Sequence, residues 1–122
     1  MTIIAVGMMV QMALKAASDL ALEGISARVI DMHTIKPLDE ALVLKAAQET
    51  GAIVTTEEAN VLGGLGAAVC EYLSGVCPVP VIRHGVQDVF GRSGKAQKVL
   101  EAYGLTPAAI ADAARKAVAC KK

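Results

Sequence analysis

The segment from Ile53 to Ala68 (IVTTEEANVLGGLGAA) constrains the fold of this chain more than any other. It begins with residues that favour a β-strand, and two adjacent carboxylates follow at Glu57 and Glu58. A predicted helix of small residues then starts after a turn that holds the glycines Gly63, Gly64 and Gly66. Glycine permits both positive φ angles and close approach to the backbone. A strand, a glycine turn and a helix in this order indicate a parallel α/β fold.

The rest of the chain repeats this alternation. Short apolar runs predict strands at Thr2 to Val6, Ser26 to Met32, Ala52 to Thr56 and Val81 to Val86. Helical periodicity and cap signals predict helices at Met8 to Glu23, Glu40 to Thr50, Leu65 to Ser74, Lys95 to Tyr103, and from Thr106 towards Val118. Because apolar strands need cover on both faces, the sequence predicts a doubly wound α/β domain with a parallel sheet.

Several predicted helix ends carry residues that usually cap helices. Asp39 is the predicted N-cap of the second helix, and Gly51 stands where that helix should stop. Thr106 followed by Pro107 is a favourable N-cap and first-turn pair for the last helix. Gly24 occupies the stop position after the first helix.

Composition fits one domain over residues 1–122 and argues against several functions. The 12 basic and 12 acidic residues cancel, so no electrostatic attraction to nucleic acid or anionic lipid is expected. Charged residues interrupt every apolar run before the ~20 residues that a membrane span requires. The 3 cysteines have no C-x-x-C spacing and support neither a disulfide framework nor a zinc site. A soluble, cytoplasmic domain is therefore expected.

The unusual residues fall just after the predicted strands. In open parallel sheets, ligands and partners gather beyond the carboxyl ends of the strands. Here those ends carry His33 to Asp39 (HTIKPLD), Glu57 to Gly66, and Gly85 to Gly94 (GVQDVFGRSG). We call this edge of the sheet the carboxyl rim, and we expect a site or an interface there.

Two interpretations of the glycine turn stay open. Its N–H groups precede a helix and could hold a phosphate, as in a stand-alone phosphate- or nucleotide-binding module. However, GGLG lacks the last glycine of a G-x-G-x-x-G fingerprint, follows the third predicted strand instead of the first, and has no P-loop lysine after it. The alternative is a structural turn, which is common in α/β packing.

The titratable side chains at the rim form no complete active site. Glu57 and Glu58 could act as a general acid–base pair. Adjacent strand residues point to opposite faces, however, so one carboxylate could cap the glycine turn while the other faces solvent or a partner. His33 and His84 are the only imidazoles, and a hydrogen-bonding role is expected for them because no nucleophile or metal-ligand cluster accompanies them.

Three stretches of the chain resemble the C-terminal domain of transketolases. They are TIKPLD (Thr34 to Asp39), TTEEANVLGGLGAAV (Thr55 to Val69) and DVFGRSGKAQKVLEAYGLT (Asp88 to Thr106). They occur in order over essentially the whole chain, and the resemblance is closest to the C-terminal section of split transketolases. The same domain type occurs in 2-oxoacid dehydrogenase β subunits and deoxyxylulose-phosphate synthases, which stay open as alternatives.

The resemblance implies a three-layer α/β/α domain with a mostly parallel sheet of four to five strands. It also implies an enzyme that moves a two-carbon ketol unit between sugar phosphates with thiamine diphosphate and Mg²⁺. In that family the cofactor binds between the other two domains, at a dimer interface. We therefore expect no catalytic, cofactor-binding or metal-binding residue in this chain, and we expect as partners an N-terminal section or other transketolase domains, within a homodimer of the complete enzyme.

Two family features bear on the expected contacts. Ala59 stands where relatives often have histidine after the paired glutamates. An antiparallel edge strand commonly precedes the opening strand in the family, so a further strand is expected upstream.

Phe90, an aromatic residue in a polar loop, either packs on its own core or inserts into a neighbour. The candidate contacts with a partner or another domain are His33, Lys36, Glu57, Glu58, Asn60, Gly63, Gly64, Gly66, Phe90 and Arg92.

Overall fold

Strands and helices alternate along the chain in the computed structural model, which describes residues 1–33, 38–60, 64–86 and 106–121, without the side chains of residues 58–60 and 86. The strands are β1 (Thr2–Ala5), β2 (Arg28–Asp31), β3 (Ile53–Asn60) and β4 (Val81–Val86). The helices are α1 (Met9–Ala21), α2 (Glu40–Thr50), α3 (Leu65–Val76) and α4 (Pro107–Ala119). The helix predicted at Lys95 to Tyr103 lies outside the described residues.

The described strands form one parallel sheet in the order β2-β1-β3-β4. All 4 residues of β1 are buried, and each pairs with both β2 and β3. Successive residues alternate between the two faces, so that Ile3 belongs to one core cluster and Ile4 to the other. The predicted parallel α/β fold is confirmed.

Helices cover both faces of this sheet and complete three layers. On one face α1 packs against α4, and their Leu20 and Ile110 share a core cluster with Val54 of β3. On the other face α2 packs against α3, and Val43 and Leu73 are part of the second cluster. Each fully buried aliphatic side chain of this kind stabilises the fold by about 1.5–3 kcal/mol relative to its exposure. The expected α/β/α architecture is therefore present.

The caps predicted from sequence are confirmed at α2 and α4. Asp39 Oδ1 accepts a hydrogen bond from the N–H of Leu42 at 3.2 Å. Gly51 follows α2 with a φ of 72°, the left-handed region that glycine adopts without strain. Thr106 Oγ1 accepts a hydrogen bond from the N–H of Ala109 at 3.2 Å, and Pro107 occupies the first helical position.

Three strands differ in length from their predictions, and β1 does so only by ending one residue early, at Ala5. The predicted end of β3 was Thr56, but the strand continues to Asn60, which pairs with Val86 after an irregularity in register. Pairing with β4 outweighs the low strand propensity of the EEAN sequence, so both glutamates lie within the strand. β2 is shorter than its predicted range because it pairs with β1, which offers only the 4 residues from Thr2 to Ala5.

Candidate functional site

Glu57 links β3 to the first turn of α3 at the carboxyl rim. The residue is only 3% exposed, and its Oε2 accepts a hydrogen bond from the N–H of Gly66 at 2.9 Å. The first N–H groups of a helix lack partners within the helix, and this end carries partial positive charge. The carboxylate therefore satisfies one N–H group and complements the charge. The interpretation that one of the paired glutamates caps the glycine turn is confirmed by this hydrogen bond.

Side chains from the sheet occupy the space beside Gly64 and Gly66. A Cβ atom at Gly64 would overlap the carboxylate of Glu57. A Cβ atom at Gly66 would lie 2.7 Å from Cγ of Arg83 and 2.8 Å from Oγ1 of Thr55. Gly64 has a φ of −103°, so close approach and not a positive φ requires glycine there. The turn is shaped around side chains of its own chain, which favours the structural interpretation.

Two buried polar atoms beside this turn have no hydrogen-bond partner among the described residues, namely Thr55 Oγ1 and Glu57 Oε1. Thr55 is fully buried. The two residues are two positions apart on β3, so their side chains lie on the same face of the sheet. An unsatisfied buried polar atom costs about 1–3 kcal/mol. Within the described part of the chain, the protein thus leaves the hydrogen bonding of this cluster incomplete.

The opposite face of the same strand pair carries a completed hydrogen bond. Thr56 Oγ1 and His84 Nδ1 lie 2.9 Å apart, and the two residues are direct partners in the β3–β4 ladder. The hydrogen-bonding role expected for His84 is confirmed. His33, the other imidazole, is exposed just beyond the end of β2.

The structure brings only some of the predicted contact residues together. Glu57, Gly64 and Gly66 form one cluster. The backbones of Glu58 and Asn60 lie in β3, close along the chain to this cluster. The predictions for Lys36, Gly63, Phe90 and Arg92 lie outside the described residues. The role of the whole set as an interface stays a prediction.

Thr55 and Arg83 belong to the cluster, although the sequence did not single them out. They are direct partners in the ladder between β3 and β4. The alternation of side chains along β3 could have placed Thr55 beside Glu57. The pairing of Arg83 with Thr55 depends on the register of two strands distant in sequence, which no local pattern encodes.

The chemistry available in the described part of the chain is mainly hydrogen bonding and charge. In these residues no group of three or more His, Cys, Asp or Glu side chains could hold a metal ion. Burial raises the pKa of the Cys70 thiol, and the nearby Arg83 cation offsets this only in part, so the thiol is protonated at neutral pH. No described helix has the length and apolar character needed to cross a membrane.

A separate cavity of about 410 Å³ lies at the opposite edge of the sheet. It is found where β3 and β4 begin and α4 ends, and it is lined by Gly51, Pro78, Val79, Pro80, Cys120 and Lys121. Its walls are mainly apolar, and it shares no residue with the cluster around Glu57.

Comparison with known proteins gives consistent matches over nearly the whole chain. The family described as "Transketolase, C-terminal domain" matches residues 1–110. The 6-deoxy-6-sulfo-D-fructose transketolase subunit SqwH of Clostridium sp. (strain MSTE9) is 50% identical over 115 residues, which are 94% of this chain and 36% of that protein. The 1-deoxy-D-xylulose-5-phosphate synthase of Heliobacterium modesticaldum (strain ATCC 51547 / Ice1) is 44% identical over 118 residues, or 94% of this chain and 18% of that protein.

A solved structure described as a split gene transketolase, inactive beta4 tetramer, has the same fold. It superimposes with a TM-score of 0.95 at 50% identity, over 99% of this chain and 40% of that chain. The chain therefore spans well under half the length of the relatives that it matches. Sequence identity at this level, together with a family match that starts at residue 1 and ends at residue 110, leads to one conclusion: the chain belongs to the transketolase C-terminal domain family.

Proposed function

We propose that this chain is the C-terminal section of a thiamine diphosphate-dependent transketolase and serves as its assembly module. The observation that carries the proposal is its 50% identity to a transketolase subunit of which it spans only 36%. In this proposal the complete enzyme transfers a two-carbon ketol unit between sugar phosphates. Domains outside this chain supply the catalytic groups.

The described residues of the carboxyl rim do not fit a diphosphate or its metal ion. A phosphate would bind at the start of α3, but the carboxylate of Glu57 already bonds to the N–H of Gly66 there. A second anion beside this buried carboxylate would be repelled. We therefore assign no step of the reaction to the described residues, and we propose that thiamine diphosphate and Mg²⁺ bind to the partner domains.

The proposed partner is the subunit that carries the remaining transketolase domains. Support comes from the similar solved structure, which is described as "Split gene transketolase, inactive beta4 tetramer". An inactive beta tetramer is what this proposal predicts, because it places the catalytic groups in another section. We propose that the complete enzyme is a homodimer of the two-section unit, with the carboxyl rim of this chain facing the partner.

A reconstitution experiment tests this proposal. The purified chain alone should show no ketol transfer and no saturable binding of thiamine diphosphate in a calorimetric titration. Addition of the subunit with the complementary domains should give ketol transfer between sugar phosphates. Saturable binding of the cofactor by this chain alone, or ketol transfer without a second subunit, would contradict the proposal.

A second reaction class is supported by the 44% identity to a 1-deoxy-D-xylulose-5-phosphate synthase. Because the catalytic groups lie in other domains in both proposals, this chain's own residues favour neither reaction. The products of the reconstituted enzyme decide between them. Formation of 1-deoxy-D-xylulose 5-phosphate would favour the synthase, whereas ketol transfer, with sugar phosphates or with 6-deoxy-6-sulfo-D-fructose, would favour a transketolase.

The geometry argues against a stand-alone phosphate-binding module. A ligand that binds only the folded state raises its melting temperature. Since Glu57 occupies the start of α3, inorganic phosphate should produce no such rise beyond that seen with a matched concentration of chloride. A specific rise with phosphate would revive this alternative.

The free thiols suggest where the enzyme works. Cys70, Cys77 and Cys120 form no disulfide. Unpaired thiols are typical of a reducing compartment. We propose a cytoplasmic location on this ground.

A further inference from the structure

We propose that the start of α3 carries a binding site for a hydrogen-bond donor, formed by Glu57 Oε1 and Thr55 Oγ1. Both atoms are buried and lack a partner among the described residues. Both belong to side chains on the same face of β3, and both lie against glycines of the first turn of α3. A buried carboxylate oxygen without a partner among the described residues thus lies at the N-terminus of a helix.

The chemistry of the two atoms defines the ligand. An ionised carboxylate only accepts hydrogen bonds, and a threonine hydroxyl can either donate or accept. The other carboxylate oxygen is engaged, since Oε2 of Glu57 bonds to the N–H of Gly66. The ligand is therefore an N–H or O–H group, and an anion is excluded by the charge of the carboxylate.

A simple capping role does not account for this arrangement. Asp39 caps α2 from an exposed position, where bulk water can reach its second oxygen. Glu57 is only 3% exposed, so bulk water cannot hydrate its second oxygen in the same way. The great majority of buried polar side-chain atoms in folded proteins have a partner. The buried position of Glu57 thus calls for a donor that an exposed cap does not need.

Two sources outside this chain could supply a donor of this chemistry. One is a water molecule trapped between the two oxygen atoms, as buried waters commonly bridge unsatisfied polar groups. The other is an N–H or O–H group of the section that docks on the carboxyl rim. The second source rests on the proposed function, whereas the first does not.

A crystal structure of the isolated wild-type chain distinguishes these sources first. At a resolution that shows ordered water, a trapped molecule would lie within about 3.2 Å of Glu57 Oε1. This measurement needs no variant, so it is independent of any effect of mutation on folding.

The second measurement is the affinity of Glu57→Gln for the partner subunit, by calorimetry. The carbonyl oxygen of glutamine can keep the bond to Gly66, which places the NH₂ group where Oε1 was. A donor from the partner would then meet another donor, and we expect roughly 10- to 100-fold weaker association. Glu71→Gln, an exposed glutamate in the middle of α3 and away from the carboxyl rim, is the matched control and should leave the affinity unchanged. Thr55→Val, which removes only the hydroxyl, serves if Glu57→Gln does not fold.

Each outcome decides the inference. An ordered water at Oε1 supports the site with water as the donor. No water, together with weakened association for Glu57→Gln alone, supports a donor from the partner. No water with unchanged association overturns the site while leaving the proposed function intact. If the wild-type chain does not associate with the partner subunit, the proposed function fails, and the crystal structure alone then decides whether the site exists.

Discussion

Helices α2 and α3 differ in how an N–H group of the first turn finds its hydrogen-bond acceptor. At α2 the N-cap residue itself, Asp39, accepts the N–H of a residue three positions later, from the protein surface. At α3 the N-cap residue is Gly64, which has no side chain, and the N–H of Gly66 is bound by Glu57, nine positions earlier in a buried strand. One cap is local and exposed, and the other is tertiary and buried.

This difference teaches how much of a helix start depends on the rest of the fold. A local cap forms as soon as its own turn forms, so its loss weakens one helix end. The cap of α3 needs β3, the glycine turn and the helix to be in place together, because a Cβ at Gly64 would overlap Glu57. Changes at α3 should therefore reduce the stability of the whole domain more than changes at α2.

The largest effect is expected for Gly64→Ala. The added methyl group would overlap the carboxylate of Glu57, forcing it or the turn to move, and should lower the free energy of unfolding by about 3 kcal/mol. Urea denaturation measures this change. Gly75→Ala is the control in the same helix, because its Cβ would meet nothing within 4 Å, and it should stabilise the domain by up to about 1 kcal/mol. Similar values for the two variants would contradict the close packing at Gly64.

A smaller loss is expected for Glu57→Ala. This change leaves the N–H of Gly66 without its buried acceptor, which should cost about 2 kcal/mol in the free energy of unfolding. Glu71→Ala, on the exposed side of α3, should stay within about 0.5 kcal/mol of wild type. If Glu57→Ala lowers the free energy of unfolding no more than Glu71→Ala does, the tertiary cap of α3 does not contribute as described.

The local cap should be worth less. Asp39→Ala removes the acceptor for the N–H of Leu42 at an exposed helix start, and we expect a loss of about 1 kcal/mol. Thr106→Ala, at the similar local cap of α4, should give a comparable loss. Chemical denaturation of Asp39→Ala, Thr106→Ala and Glu57→Ala measures how much each change lowers the free energy of unfolding, and so compares the local caps with the tertiary one. An Asp39→Ala loss larger than that of Glu57→Ala would reverse the ranking.

The smallest effect concerns an exposed ion pair between α4 and the turn that follows α1. Arg115 bonds to both carboxylate oxygens of Glu23, at 2.9 and 2.6 Å, and this lowers the pKa of Glu23 below its ordinary value of 4.5. The pKa of Glu23 is lower in the folded state than in the unfolded state. The ion pair therefore stabilises the fold fully when the pH is above the unfolded-state pKa, and this stabilisation is lost as the pH falls through the folded-state pKa.

Acid titration of stability checks this sign. Wild type should lose slightly more stability than Glu23→Gln between neutral pH and pH ~3, and added salt should shrink the difference. The effect should be small because solvent screens an exposed pair. Equal acid sensitivity of the two proteins, measured by urea denaturation at each pH, would show that the pair contributes nothing.

The fold could be predicted from sequence because its signals are local. Apolar runs gave the strands, and Asp39, Gly51 and Thr106 marked helix ends at the observed positions. Only part of the site could be predicted, because the rest depends on contacts between segments that are distant in sequence. A cap by one of the two glutamates was foreseen, but the choice of Glu57 and the presence of Arg83 follow from strand register and from the extension of β3 to Asn60.

The unequal lengths of β1 and β3 have a consequence for motion. Within β3, only Ile53 to Thr56 pair with β1, so the rest of β3, through Asn60, has β4 as its one described sheet neighbour. Amide hydrogens in the doubly flanked half should exchange with deuterium only on global unfolding, while those beyond Thr56 should exchange through smaller openings. The two parts of this strand should therefore differ in stability against local opening, although they belong to one continuous element.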